Sequence, residues 1–208
     1  MAETKIKVAI IDDHNVVRLG IKAVLKLSPQ IVFAGESDNA ANIVTFLKKA
    51  AADVALIDIR MPGKSGIEAL TDIRAAEIPV KVIMLTTSDV EEDVAMAIKN
   101  GADGYALKDL EPENLIEAIK TVYSGEKFFP PEISRLYEQY KTSPEISQRE
   151  KDILSYLAKG FSNIDIANSL KVSPETIKMH LKRIYPKLNA EDRAEAVAIA
   201  ISRGIIKV

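Results

Sequence analysis

The sequence predicts an α/β fold: a doubly wound, five-stranded parallel sheet followed by a small all-α domain. Three observations predict it. Over the first 125 residues, short apolar runs alternate five times with stretches of helical period. Four of those runs end in chemically active residues: Asp12 with Asp13, Asp58, Thr86 and Lys108. From residue 145 onward the pattern is purely helical, punctuated by caps.

The strands are expected at 5–11, 31–36, 53–57, 81–86 and 104–107, where the residues are apolar and β-branched or aromatic. Helices are expected between and after them at 16–27, 40–50, 67–76, 91–100 and 112–124. Right-handed crossovers leave few arrangements for such a chain, and ligands bind outside the carboxyl ends of its strands. Residues 126–144 change character. Phe128-Phe129-Pro130-Pro131 is rigid and partly apolar, 132–141 has the makings of a short helix, and Thr142-Ser143-Pro144 reads as a break. We expect domains at 1–125 and 145–208 with 126–144 as linker, and the diphenylalanine packed on one of them.

In the second domain, 147–158 is amphipathic and stops at Gly160, placed as a C-terminal cap. Ser162 caps 163–170. Ser173-Pro174-Glu175 opens a further helix with a capping serine, a proline at the first position and an acid in the first turn. A last helix is expected at 192–203. On the helix after Ser173, Ile177, Leu181, Ile184 and Leu188 fall on one face and Lys178, Met179, Lys182 and Arg183 on the other. Pro186 removes a backbone bond to Lys182 and predicts a bend or stop near Ile184 or Tyr185.

Composition narrows the function. The chain is 47% hydrophobic and 28% charged, ordinary for a globular protein. It has no cysteine, which excludes disulfides and thiolate metal sites. Its two histidines lie far apart, which argues against a zinc centre. No apolar run approaches the roughly 18 residues of a membrane span, and no signal segment precedes the first strand, so a cytoplasmic protein is expected. Residues 1–125 carry 14 Lys+Arg against 19 Asp+Glu, and 126–208 carry 14 against 11. The basic excess concentrates at 171–187, which contains Glu175 as its single acid.

Strand-end acids emerge together at one sheet edge, and three carboxylates there repel one another unless a cation sits among them. Asp12, Asp13 and Asp58 suit Mg²⁺. Asp58 is the best phosphoryl acceptor, because the turn-rich Met61-Pro62-Gly63-Lys64-Ser65-Gly66 exposes its strand end. Lys108 and Thr86 are placed to pair with and hydrogen-bond phosphoryl oxygens. Each residue alone is ordinary: an aspartate after a strand commonly caps a helix, and Lys108 is by default a surface lysine. Their joint occurrence in this order is not. The basic helix suits a DNA major groove, although a four-helix module that binds protein has the same pattern.

On these residues, 5–125 resembles the receiver domain of two-component response regulators, a flavodoxin-like fold. The match comprises Asp12/Asp13, Asp58 with Met61-Pro62 and Gly66, the pair Thr86 and Tyr105, and Lys108. The resemblance implies Mg²⁺-dependent transfer from a histidine kinase to Asp58. It also implies metal ligation by Asp13, Asp58 and the Arg60 carbonyl with Asp12 acting through water, and a switch in which Thr86 moves and Tyr105 turns inward. Residues 146–203 resemble the LuxR-type helix-turn-helix domain of the NarL/FixJ class. The stretches are Ser147-Gln148-Arg149-Glu150, Gly160-Phe161-Ser162-Asn163, Ile166-Ala167, Ser173, Thr176-Ile177-Lys178, His180, Lys187-Leu188 and Arg193-Ala194. That resemblance implies promoter DNA as partner, with Lys178, Met179 and Lys182 reading bases and Thr176, His180 and Arg183 nearer the backbone. It implies a homodimer surface at Ala194, Val197, Ala198 and Ile201. A Mg²⁺-dependent phosphatase on a similar sheet needs a second acid two residues past its nucleophile. Arg60 and His14 stand there after Asp58 and Asp12, so no enzyme activity beyond self-phosphorylation is expected.

Overall fold

The computed structural model describes residues 5–87 and 90–206. The chain divides into two compact units, the first running to Tyr137 apart from Val90–Glu92, which fall with the second, and the second continuing from Glu138. In the first, β1 (Ile6–Ile11), β2 (Ile31–Ser37), β3 (Val54–Asp58), β4 (Lys81–Thr86) and β5 (Gly104–Leu107) form one parallel sheet in the order β2-β1-β3-β4-β5. The order reverses at β1, so the crevice of this sheet opens between the carboxyl ends of β1 and β3.

Period-two alternation sends the strand residues to two cores. Val8, Ile10, Leu56, Ile83, Leu85 and Ala106 pack against α1 (Asn15–Leu25) and α5 (Pro112–Tyr123). Ala9, Ile11, Ala55, Ile57, Met84 and Tyr105 pack against α2 (Ile43–Ala50), α3 (Gly66–Ala75) and α4 (Glu91–Lys99). The second helix begins later than its apolar period suggests. Asn39 Oδ1 accepts from the Ala41 N–H at 3.0 Å, and this local turn holds residues 39–41 out of the helix.

The interdomain segment is built into the first unit as far as Tyr137. Phe128 N donates to Asp103 O at 3.0 Å and Tyr105 N donates to Phe128 O at 2.9 Å, a parallel bridge along the outer edge of β5. Then α6 (Pro131–Thr142) inserts Ile133 into the core that holds Tyr105, with Phe129, Leu136 and Tyr137 packed beside it.

The second unit carries α7 (Gln148–Ala158), α8 (Asn163–Leu170), α9 (Pro174–Leu188) and α10 (Arg193–Ser202) around Ile153, Leu154, Leu157, Ile166, Ile177, Leu181 and Ile184. Reciprocal capping boxes start α7 (Ser147 with Glu150) and α8 (Ser162 with Asp165), and Ser173 caps α9. A stop near Ile184 or Tyr185 does not occur: α9 runs on through Pro186 to Leu188. Leu188 is buried, and Ala190 N donates to Tyr185 O at 2.9 Å around the left-handed Asn189. Core packing and a closed C-terminal turn thus offset the one bond that Pro186 removes.

Candidate functional site: an acidic phosphoryl pocket and a basic helix

Sheet register assembles the pocket. Ile11 stands opposite Ile57, so Asp12 and Asp58 leave β1 and β3 side by side. Asp58 is opposite Leu85 and Thr86 opposite Leu107, which brings Thr86 and Lys108 alongside. Lys108 N also donates to Thr86 O at 2.7 Å, fixing where the lysine leaves β5.

Asp12, Asp58 and Thr86 are buried. Lys108, by default a surface lysine, has a side chain only 9% exposed. Its Nζ lies 2.7 Å from Asp12 Oδ2 and 2.8 Å from Asp58 Oδ2, bridging the two acids. Burial pushes the Asp58 carboxyl up; the Lys108 ammonium and the Arg60 N–H pull it down, Asp12 adds to the upward shift, and the net is upward. Burial pulls the Lys108 ammonium down, but its bonds to Asp12 and Asp58 outweigh this and hold it above its ordinary value.

Among the described residues, Asp12, Asp13, His14 and Asp58 form a group whose ligand atoms all lie within 4.8 Å of one another. Hard carboxylate oxygens at this spacing suit a small divalent cation that keeps some of its waters. Asp12 is also held at both its backbone and its carboxylate: Arg18 Nη1 donates to Asp12 O at 2.7 Å, and His14 N donates to Asp12 Oδ1 at 2.8 Å.

Tyr105 is fully buried, more than a half-exposed strand aromatic, because α6 and α4 close over its side of the sheet. Arg60 donates from Nε and Nη2 to Asp93 Oδ2 on α4, at 3.0 and 2.9 Å. The sequence reading singled out neither Asp93 nor Arg18. An acid in the first turn of a helix carries no mark of its partner, and Arg18 acts through a carbonyl rather than a side chain.

On α9, Ile177, Leu181, Ile184 and Leu188 face the core, while Lys178, Met179, Lys182 and Arg183 are exposed and Thr176 and His180 are half-buried. The Thr176 hydroxyl lies 3.0 Å from that of Ser173, so it serves the helix cap. Lys187 belongs to the fold: its Nζ donates to Glu145 O at 2.9 Å and to Glu150 Oε2 at 2.7 Å. On α10, Ala194, Ala198 and Ile201 are exposed and Val197 is half-buried, a stripe at helical spacing opposite the buried Ala196 and Ala200.

The Glu150 pair predicts a pH effect. Burial raises this carboxyl, but hydrogen bonds from Lys187 and Ser147 outweigh it and hold it below its ordinary value. A depressed folded value means the stabilisation is complete above the unfolded glutamate value and disappears as pH falls through the folded one. Acid melts of the second unit should therefore lose stability in that interval, and Lys187→Met should flatten the loss; identical pH profiles would refute the pairing.

Comparison with known proteins gives the same division. Residues 8–120 match the response regulator receiver domain family, and residues 144–200 match the luxR family of bacterial regulatory proteins. The chain is 39% identical to the uncharacterized transcriptional regulatory protein YxjL of Bacillus subtilis, over all of both sequences. It is 35% identical to the nitrate/nitrite response regulator protein NarP of Escherichia coli, covering 96% of each. It is similar to the structure of RcsB from Salmonella enterica serovar Typhimurium bound to a promoter in the presence of a phosphomimetic. There the TM-score is 0.73 at 27% identity, covering 96% of this chain and 99% of that one. With its acids, lysine and threonine at one sheet edge and a helix-turn-helix later in the sequence, the chain belongs to the two-component response regulators that join a receiver domain to a LuxR-type DNA-binding domain.

Proposed function

We propose that Asp58 accepts a phosphoryl group from the phosphohistidine of a sensor histidine kinase, and that this controls dimerisation and promoter binding. One observation carries the reading: Lys108 bridges the buried Asp12 and Asp58 at 2.7 and 2.8 Å. An ammonium so placed neutralises charge where a phosphoryl group arrives and pairs with one of its oxygens. Asp12, Asp13, Asp58 and the Arg60 carbonyl are the groups that would hold Mg²⁺. When bound, that ion supplies charge neutralisation between the carboxylates and the incoming phosphate.

In the transfer step an Asp58 oxygen attacks phosphorus, the phosphorus–nitrogen bond of the donor breaks, and the imidazole leaves with the electron pair. Thr86 donates its hydroxyl to a phosphoryl oxygen. Thr86 and Tyr105 form the switch that carries the change to the surface of α4 and β5. We place the receiver at 1–125, the linker at 126–144 and the DNA-binding domain at 145–208. The protein acts in the cytoplasm as a transcription factor, with self-phosphorylation as its one chemical step.

Lys178, Met179 and Lys182 read base edges, and Thr176, His180 and Arg183 lie nearer the phosphates. Two molecules meet through Ala194, Val197, Ala198 and Ile201. Among the described residues, no helix is long and apolar enough to cross a membrane.

Incubation with acetyl phosphate and Mg²⁺ should label the protein and raise its affinity for promoter fragments. Asp58→Asn should abolish both effects, and undiminished labelling of that variant would defeat the assignment. On DNA the two classes of contact separate by salt. Arg183→Ala should weaken all sequences alike and reduce the slope of log affinity against log salt by about 1, whereas Lys178→Ala should cost about 1–3 kcal/mol at one base pair and relax specificity there. Filter binding over a salt series measures both.

A further inference from the structure

We propose that Asp93 is a positioning residue for the phosphoryl group on Asp58, acting through Arg60: the acceptor site and α4 compete for one guanidinium. The inference rests on the reading of Asp58 as acceptor.

Residue 60 stands at the pocket, where its N–H donates to Asp58 Oδ1 at 3.3 Å. Its guanidinium is engaged by α4. Nε and Nη2 both donate to Asp93 Oδ2, at 3.0 and 2.9 Å. The Asp93 side chain is 11% exposed and that of Arg60 49%. Two charge-assisted bonds to one oxygen fix the direction of a guanidinium that would otherwise sample solvent.

Phosphorylation places a group of charge near −2, with three acceptor oxygens, on the carboxylate that Arg60 N already touches. That group outbids a single carboxylate for a guanidinium. Asp93 can release it, because an acid in the first turn of α4 keeps partial compensation from the helix N-terminus. The exchange loosens the tie between the acceptor loop and α4. By linkage, whatever weakens the Asp93 tie strengthens the hold of Arg60 on the phosphoryl group.

The direction of the kinetic effect follows from charge. In hydrolysis of an acyl phosphate through a loose transition state, charge drains from the phosphoryl oxygens toward the departing carboxylate. A cation on those oxygens therefore favours the intact acyl phosphate over the transition state. Freeing Arg60 lengthens the phosphate lifetime.

The test uses the full chain as wild type, Asp93→Asn, Arg60→Met and the double variant, each labelled with acetyl phosphate and Mg²⁺ and followed as the label decays. Asp93→Asn should slow decay by about fivefold, the low end of a coupling between sites. With Met at position 60, decay should be the same whether position 93 is Asp or Asn. An Asp93→Asn effect that survives in the Arg60→Met background overturns the proposal, as does unchanged or faster decay. A spectroscopic measurement stands apart from turnover. The Arg60 Nε–H resonance, identified by its loss in Arg60→Met, should move when beryllofluoride and Mg²⁺ are added; an unmoved resonance also overturns it. Failure of the wild type to take label would sink the acceptor reading itself, and this proposal with it.

Discussion

Gly66→Ala should unfold the receiver more readily and abolish phosphorylation of Asp58, although residue 66 carries no functional group. Gly66 opens α3 directly beneath the acceptor strand, with its N–H donating to Ile59 O at 2.9 Å. A methyl group there would lie inside van der Waals contact of the Asp58 carbonyl oxygen, 2.9 Å from the Asp58 carbonyl carbon and 3.0 Å from Ile59 Cα. All three atoms are backbone, so no side chain can swing aside. Either α3 or the end of β3 must move, at a cost of about 3 kcal/mol or more. For a unit of this size the melting temperature should fall by roughly 10 °C. The same movement misplaces the Asp58 carboxylate relative to Lys108, so labelling by acetyl phosphate should be lost. Thermal melts with and without Mg²⁺ measure the first effect and labelling the second. A variant that melts and labels as the wild type does would show that the two segments are not in contact.

Ile133→Ala should destabilise the first unit by about 2–4 kcal/mol, the usual range for emptying a fully buried aliphatic site. Ile133 is 1% exposed, in the core that contains Tyr105, Val94 and Ala97. A residue on a free tether would show almost nothing when truncated. The exposed Arg135, two residues on, serves as control and should change stability by less than about 0.5 kcal/mol. Urea unfolding of the full chain, followed by a probe in the first unit, distinguishes the two variants. Equal midpoints for both would mean that α6 does not dock. The prediction also bears on signalling. The segment that follows α5 accepts the Tyr105 N–H at Phe128 O, so the chain that leads to the second unit is hydrogen-bonded directly to Tyr105.

Much of the site was legible because of where apolar runs end. A strand buried on both faces tolerates no charge along its length, so Asp12, Asp58 and Lys108 mark the points at which the chain leaves the sheet. The helices of the second unit were legible for a similar local reason. Serines at 147, 162 and 173 each satisfy orphan amides at a helix start, and the apolar spacing of α9 decides which of its faces is free. Two boundaries were misjudged for reasons outside the local pattern. Asn39 diverts residues that are helical by period, and Pro186 is overruled by the burial of Leu188.

The order of strands and helices, the acids at their ends and the basic face of α9 were determined by the sequence itself, since periodicity, capping and the cost of burying charge all act within a few residues. Tertiary structure alone decided who meets whom. Lys108 bridging Asp12 and Asp58, Arg60 reaching Asp93 and Lys187 turning inward to Glu150 join residues 33 to 96 positions apart, and Ile133 entering the receiver core docks one helix on several other elements. Such pairings depend on strand order and register, which are set by the packing of the whole sheet and helix layers rather than by any segment of it.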